Sequence, residues 1–126
     1  MIALIVALLL TLTPHGVPME GVASWYDATK NNAFYTRDGN RYYGAVGSFR
    51  WGKKPYLALV CRQDEPGTCV IVTITDYCGR CAADLKKPWS SASRAIDLSP
   101  QAFVKLKGLH HGLVGVTIRE LLSGPR

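Results

Sequence analysis

The chain has 126 residues, 48% of them hydrophobic, and a formal net charge of +6 at pH 7. This length allows one domain with a modest core, and the hydrophobic content excludes a disordered chain. The 12 glycines and 7 prolines form no repeat, which indicates a turn-rich, mainly β domain. The positive charge favours a polyanionic partner or simply keeps the surface soluble. No basic run or nucleic-acid-binding motif is present, so nucleic acid is not an expected partner.

The N-terminal segment begins with an unbroken apolar run, MIALIVALLL. It is too short for a comfortable membrane span and fits the apolar part of a signal peptide. No Lys or Arg precedes it and no clear cleavage site follows, so a mis-assigned start and an uncleaved anchor stay open as alternatives. We predict a signal peptide over residues 1–16, secretion to the periplasm or cell wall, no stable membrane insertion after processing, and a folded domain over residues 20–123.

Short runs of β-branched and aromatic residues predict strands along most of the chain. The predicted strands are Val22–Tyr26, Tyr56–Cys61, Cys69–Thr75, Arg94–Leu98 and Val114–Leu121. The second and third flank the polar segment RQDEPGT, so they are expected to form a hairpin with a long loop. Gly44–Tyr56 is predicted to be irregular. Further along the chain, a turn around Gly79 and a long loop over Ala82–Ser93 are predicted.

The clearest predicted helix covers Ser99–Gly108. Ser99 suits the N-cap, Pro100 suits the first helical position, and Gly108 suits the helix end. With five or six short strands and one helix, the chain is predicted to be mainly β, a small barrel or sandwich.

Four cysteines allow three pairings. The simplest interpretation for an exported chain is two local disulfides, Cys61–Cys69 and Cys78–Cys81, although a crossed pairing such as Cys61 with Cys78 stays open. A redox CxxC is expected at the start of a helix in a βαβ unit, whereas CGRC is predicted to lie in a strand–turn–loop context. A zinc ribbon needs a second close pair, so we expect no metal and no cofactor.

Two aspartates follow apolar, strand-like runs: Asp76 follows VIVTIT and Asp97 follows RAI. A carboxyl group at the end of a buried strand is partly desolvated, which favours its protonated form. A general acid acting on a glycosidic oxygen needs that form. The alternatives are structural, because Asp97 lies next to a helix start and Asp76 lies near Arg80. Spacing alone does not distinguish them.

Four segments together resemble the rare lipoprotein A family, which is related to expansins and barwin-type proteins. They are GVASWY, VTITDYCGRC, AIDLSPQAF and GVTI. The resemblance implies a six-stranded double-psi β-barrel with one or two short helices. It also implies a cell-wall polysaccharide partner, because members include lytic transglycosylases of peptidoglycan and expansins, which loosen walls without hydrolysis. We expect a monomer.

Carried over residue by residue, the resemblance assigns the family's key carboxylate to Asp97 and the second aspartate of its cleft to Asp76. Ser24 falls on the hydroxyl position of the opening motif, with Tyr26 beside it. These two residues and Arg94 are the expected substrate-binding residues near the aspartates.

Two positions depart from the family pattern. The turn glutamate is Asn40 here, and Val46 stands where the family has a histidine. Asp38 is the candidate to replace the glutamate and is added to the expected substrate-binding residues.

Aromatic side chains are candidates for stacking on sugar rings. Trp51 and Trp89 are predicted to bind substrate, and Trp89 lies in the polar loop segment KKPWSS. Trp25 is expected to pack in the core instead. The adjacent His110 and His111 are expected to be surface residues.

Three functions are compatible with this sequence. The leading one is a peptidoglycan lytic transglycosylase in which Asp97 acts first as acid and then as base. The alternative is a non-catalytic, expansin-like or barwin-like module that binds polysaccharide or loosens the wall. A small disulfide-rich effector or inhibitor built on the same barrel is the third.

Overall fold

A computed structural model of the chain describes residues 12–27, 41–47, 55–88, 90 and 92–123. The described strands are β1 (Leu12–Trp25), β2 (Tyr43–Val46), β3 (Tyr56–Arg62), β4 (Cys69–Tyr77), β5 (Arg94–Leu98) and β6 (Val114–Ser123). Two short helices, α1 (Gly79–Asp84) and α2 (Pro100–Phe103), and a 3₁₀ turn at Leu109–His111 complete these elements. The predicted mainly β class with one or two short helices is confirmed.

The strands close into a six-stranded barrel in the order β1-β5-β2-β4-β3-β6. β1 pairs with β5, and β2 with β4, in parallel, whereas the other four neighbouring pairs are antiparallel. Closure gives every strand of this sheet a paired neighbour on both sides. The mixed, non-sequential order is that of the expected double-psi barrel.

Apolar side chains fill the barrel interior. Those that are almost fully buried include Val60, Val72, Ile74, Ile96, Val116 and Ile118, with Ala102 and Phe103 of α2 in the same cluster. Burial of each large apolar side chain stabilises the fold by about 1.5–3 kcal/mol. Because its interior is packed in this way, the barrel is a rigid support for the polar residues on its outer surface.

The predicted hairpin is formed by β3 and β4, and Cys61 lies directly opposite Cys69. The disulfides are Cys61–Cys69 and Cys78–Cys81, so both predicted local pairings are confirmed. The first closes the hairpin loop, and the second joins the end of β4 to α1. Disulfides of this kind are typical of extracytoplasmic proteins.

The prediction of irregular structure over Gly44–Tyr56 is wrong at its start, where β2 lies. The four residues of this strand, YGAV, are all buried. A strand buried on both faces shows no alternation of apolar and polar residues, and for that reason the sequence pattern did not reveal it.

The predicted turn around Gly79 is a short helix instead, α1, which also occupies the start of the predicted loop. Cys78 caps it, because its Sγ accepts a hydrogen bond from the Cys81 N–H at 3.0 Å. Gly47 lets the end of β2 approach this helix, since a Cβ at that position would lie 2.7 Å from the backbone nitrogen of Ala82. The CGRC segment therefore begins a helix, but β4 and β5 are not paired, so the context is not a βαβ unit.

The helix predicted over Ser99–Gly108 is shorter than expected and ends at Phe103. Its start is as predicted: the Ser99 hydroxyl oxygen accepts a hydrogen bond from the Ala102 N–H. After α2 the backbone forms 3₁₀-type turns, because the N–H groups of Lys105 and Leu106 donate to carbonyls only three residues back.

The first strand extends further towards the N-terminus than the predicted Val22–Tyr26. Leu12–His15 and Met19–Ala23 pair with β6, so β1 includes residues of the segment predicted to be a signal peptide. Processing of that segment and the domain boundaries at 20 and 123 stay predictions. Within the described ranges, no helix has the length and apolar character needed to cross a membrane.

Candidate active site

Two β-bulges lie shortly before the two predicted catalytic aspartates. β5 has an extra residue, Ala95, relative to β1, and β4 has an extra residue, Thr75, relative to β2. Bulges redirect the side chains that follow them and are frequent beside active sites. Each aspartate is therefore placed by an interruption of the regular register.

The register aligns the two aspartates in one row across four strands. Ser24 of β1 lies opposite Asp97 of β5, and Ala45 of β2 lies opposite both Asp97 and Asp76 of β4. Because Ile96 faces the core and side chains alternate along a strand, Asp97 faces outward. Two interstrand spacings, together about 10 Å, separate the backbones of the two aspartates.

The carboxylate of Asp97 is held by a short chain of hydrogen bonds. Its Oδ1 accepts a hydrogen bond from the Ser24 hydroxyl at 2.8 Å, and this hydroxyl accepts one from Arg94 Nη1 at 2.9 Å. The backbone N–H of Arg94 donates to Asp84 Oδ2 at 2.6 Å. Arg94 and Ser24 therefore fix the orientation of the half-buried carboxylate.

Burial raises the pKa of Asp97 above its ordinary value. The hydrogen bond from Ser24 and the charges of Arg94 and Arg80 oppose this effect without cancelling it. Asp97 therefore keeps its proton to a higher pH than an exposed aspartate does, which suits a group that must donate a proton.

This shift makes stability depend on pH in a defined direction. Because the folded-state pKa is raised, Asp97 contributes stability that is fully present below its unfolded pKa near 3.8 and is lost as the pH rises through the folded value. We expect Asp97→Asn to gain stability relative to the wild type between about pH 3 and about pH 7, measured by urea unfolding.

Asp64 is the matched control, because its pKa is shifted in the opposite direction to that of Asp97. The hydrogen bond from Arg62 lowers the pKa of Asp64, so its contribution is present above the unfolded pKa and is lost as the pH falls. Asp64→Asn should therefore lose stability relative to the wild type over the same rise in pH. Parallel curves for both variants would contradict the assignment of Asp97.

The second aspartate, Asp76, accepts a hydrogen bond from the Tyr26 hydroxyl at 2.5 Å. Tyr26 packs against Ala45 and the Cys78–Cys81 disulfide, which hold its ring in place. Burial, then the hydrogen bond to Asp76 and the charges of both aspartates, raise the pKa of Tyr26. The phenol is thus a permanent donor within the electric field of both carboxylates.

Removal of this donor should weaken the fold without unfolding it. We expect Tyr26→Phe to lower the free energy of unfolding by about 1.5–3 kcal/mol, the usual contribution of a hydrogen bond to a charged group. A double-mutant cycle with Asp76→Asn measures the pair directly. If the two losses are additive, the hydrogen bond does not contribute to stability.

An open cleft of about 410 Å³ lies over Asp97. It is lined by Ser24, Trp25, Arg80, Arg94, Asp97, Gly112 and Leu113. Three predicted site residues, Asp97, Ser24 and Arg94, therefore lie together on its surface. Asp76 and Tyr26 form the adjacent pair described above.

The expectation that Trp25 packs in the core is wrong. Its side chain is 40% exposed, and its indole N–H donates a hydrogen bond to the Leu109 carbonyl at 3.1 Å. Because β1 ends at Trp25 and this bond holds the ring at the surface, the indole lines the cleft.

Three predicted substrate-binding residues, Asp38, Trp51 and Trp89, lie outside the described residues. Val46, at the position of the family's histidine, is fully buried in the core. Arg80 and Leu113 also line the cleft, and the sequence does not predict either of them as a site residue. The only sequence signal for Arg80 was its position just after a strand-end aspartate. In the described part of the chain, no group of His, Cys, Asp and Glu side chains is arranged to hold a metal ion.

The family model described as lytic transglycolase, a double-psi β-barrel family, matches residues 19–118. The chain belongs to this lytic transglycolase family. A search of curated proteins finds no significant match to it.

The barrel of this lytic transglycolase-family domain is similar to solved structures. Apo expansin of Clavibacter michiganensis matches with a TM-score of 0.59 and 19% identity over 87% of this chain and 52% of that chain. A point mutant of the same expansin, in complex with cellohexaose, matches with a TM-score of 0.57 and 18% identity over 86% of this chain and 54% of that chain. The Streptomyces papain inhibitor matches with a TM-score of 0.56 and 23% identity over 86% of this chain and 97% of that chain. At these identities the likeness shows the fold alone, and the domain spans about half the length of the two expansin chains.

Proposed function

We propose that this domain acts on cell-wall glycan in the periplasm or cell wall and cleaves peptidoglycan strands as a lytic transglycosylase. The observation that carries the proposal is Asp97. Its carboxyl group lies half-buried in an open cleft, has a pKa raised by burial, and is oriented by Ser24. Membership of the lytic transglycolase family supports the same reaction.

One carboxyl group is sufficient for both proton transfers. Protonated Asp97 donates its proton to the glycosidic oxygen, and the bond between that oxygen and the anomeric carbon breaks. The C6 hydroxyl oxygen of the same sugar then bonds to the anomeric carbon, and ionised Asp97 accepts the hydroxyl proton. The products are an anhydro-sugar end and a free hydroxyl on the departing sugar. No water is consumed, and Asp97 regains its proton.

Asp76 and Tyr26 act on the charge that develops during this reaction. Positive charge grows on the sugar as the glycosidic bond breaks, and a nearby carboxylate stabilises it. Tyr26 fixes the Asp76 carboxylate by its hydrogen bond. Burial and the charges of both aspartates raise the pKa of Tyr26, so its hydroxyl keeps the proton that it donates.

The cleft offers both polar and apolar contacts to a sugar chain. The Arg94 guanidinium and the Ser24 hydroxyl lie on one surface with the exposed faces of Trp25 and Leu113. Aromatic and aliphatic surfaces of this kind suit the C–H faces of sugar rings, and the polar groups fix orientation. We therefore assign the bound partner as a peptidoglycan or similar glycan strand, with the domain acting as a monomer.

Product analysis tests this function. Purified peptidoglycan is digested with the domain, and the released ends are identified by mass spectrometry. Anhydro-sugar ends are expected, without new reducing ends. Reducing ends would indicate hydrolysis by water, and the absence of any released fragment would favour the alternative below.

The alternative is a non-catalytic, expansin-like or barwin-like module that binds polysaccharide or loosens the wall. The observation that favours it is Val46, which buries an apolar side chain where the family has a histidine. The fold likeness to an expansin solved with cellohexaose is consistent with glycan binding. Co-sedimentation with wall polysaccharide, combined with no released fragment, would select this alternative.

A further inference from the structure

The cleft contains a second guanidinium whose role the proposed reaction does not explain. Arg80 follows the first residue of α1, is exposed to solvent, and lines the cleft together with Arg94 and Asp97. Its charge acts on Asp97, because it is one of the charges that lower the pKa of that carboxyl group. Arg80 is therefore close enough to the reacting site to influence whatever binds there.

Two of the other arginines, Arg62 and Arg94, have partners within the described residues. The Arg62 guanidinium contacts Asp64 Oδ2 at 2.7 Å and Glu65 Oε2 at 3.4 Å. Arg94 donates to Ser24. Arg80 makes no hydrogen bond or ion pair to any residue in the described ranges.

The charge balance of the cleft favours an anionic ligand. When Asp97 carries the proton that the reaction needs, the two lining arginines leave the cleft with a positive charge and no lining carboxylate. A neutral glycan leaves that charge uncompensated, whereas a carboxylate on the glycan offsets it. A guanidinium also matches a carboxylate geometrically, because two of its N–H groups can donate to both oxygens.

We propose that Arg80 binds a carboxylate carried by a sugar of the bound glycan and so selects anionic over neutral glycan strands. This inference rests on the proposed glycan binding in the cleft. Trp25 and Leu113 provide the surface on which sugar rings lie, and Arg80 recognises the acidic substituent. Arg80 is then a residue that determines specificity, distinct from the proton-transferring Asp97.

Binding and protonation are linked in this arrangement. A bound carboxylate offsets the charge of Arg80, so Arg80 no longer lowers the pKa of Asp97 as strongly. An anionic glycan therefore helps Asp97 to keep its proton. By reciprocity, such a glycan binds more tightly at a pH at which Asp97 is protonated.

Calorimetric titration with two matched probes tests the inference. One probe is a peptide-free oligosaccharide of alternating N-acetylglucosamine and N-acetylmuramic acid, and the other is the same oligosaccharide with its carboxyl groups reduced to alcohols. The parent protein carries Asp97→Asn, so that no cleavage occurs during titration and the side chain mimics the protonated state. Arg80→Gln is added to this parent.

Arg119→Gln is the control for loss of one positive charge. Arg119 lies on β6, five residues beyond the strand start at Val114, which is about 16 Å along the strand. We expect the parent and the control to bind the acidic probe about 10-fold more tightly than the reduced probe. Arg80→Gln should bind the two probes within about 2-fold of each other, mainly through weaker binding of the acidic probe.

The outcomes separate this inference from the proposed function. If Arg80→Gln keeps the full preference for the acidic probe, Arg80 does not recognise the carboxylate, although glycan binding in the cleft stands. An equal loss of preference in Arg119→Gln would assign the effect to net charge and would also overturn the inference. If neither probe binds the parent, glycan binding itself fails and this inference with it.

Discussion

Asp97→Asn is expected to lower the rate of glycan cleavage by at least about 100-fold, the lower end of what a positioned acid–base group contributes. The asparagine amide cannot donate a proton to the glycosidic oxygen and cannot accept one from the C6 hydroxyl. Its carbonyl oxygen can still accept the hydrogen bond from Ser24. The substitution therefore removes the chemistry and preserves the local structure.

The measurement is release of anhydro-sugar ends under single-turnover conditions, with glycan binding measured in parallel. At a pH at which Asp97 of the wild type is protonated, glycan binding should change little, since the variant resembles that state. Asp64→Asn is the control: Asp64 pairs with Arg62 and is not among the residues that line the cleft. Full activity of Asp97→Asn would show that another group transfers the proton.

The wild-type activity should also depend on pH. Asp97 must be protonated to act as the acid, so cleavage is expected to decline as the pH rises through its pKa. Burial places that decline at a higher pH than an exposed aspartate would show.

The sequence predicted those parts of the fold that depend on local patterns. The β3–β4 hairpin follows from two runs of strand-forming residues around a polar loop, and the disulfide between Cys61 and Cys69 lies within that same hairpin. The cap of α2 likewise depends on Ser99 and its immediate neighbours. Short-range geometry of this kind is determined by adjacent residues.

The predictions that are wrong concern which face of a strand packs against the core. β2 is buried on both faces, so its pattern carries no signal. Trp25 follows the buried Ser24 at a strand end, and its exposure depends on a bond to the distant Leu109 carbonyl. No local pattern contains that information.

The candidate site also combines features that the local sequence predicts with features that depend on distant parts of the chain. Asp76 and Asp97 were identified as strand-end carboxylates, but their alignment needs β2 between them and an extra residue in each strand. A register shift cannot be read from single-strand periodicity. Arg80 was visible in the sequence, but its place in the cleft follows only from the turn of α1 after β4.

Ser24→Ala is expected to reduce the maximal cleavage rate by about 10-fold and to move the decline with pH to a higher pH. The Ser24 hydroxyl donates to Asp97 Oδ1 and accepts from Arg94 Nη1, so its loss frees the carboxylate to reorient. The same hydrogen bond lowers the pKa of Asp97. Without it the carboxyl group keeps its proton to a higher pH than in the wild type.

At high pH the lower maximal rate reduces activity, whereas the higher pKa of Asp97 preserves it. This difference distinguishes a positioning role of Ser24 from a structural one. A variant that is merely destabilised loses activity at every pH and leaves the position of the decline unchanged. Ser24→Thr is the conservative control, because it retains the hydroxyl donor and should restore the wild-type pH profile. If Ser24→Ala lowers the rate without moving the profile, the hydroxyl does not act through the proton affinity of Asp97. The Arg94–Ser24–Asp97 chain would then orient the acid without tuning it.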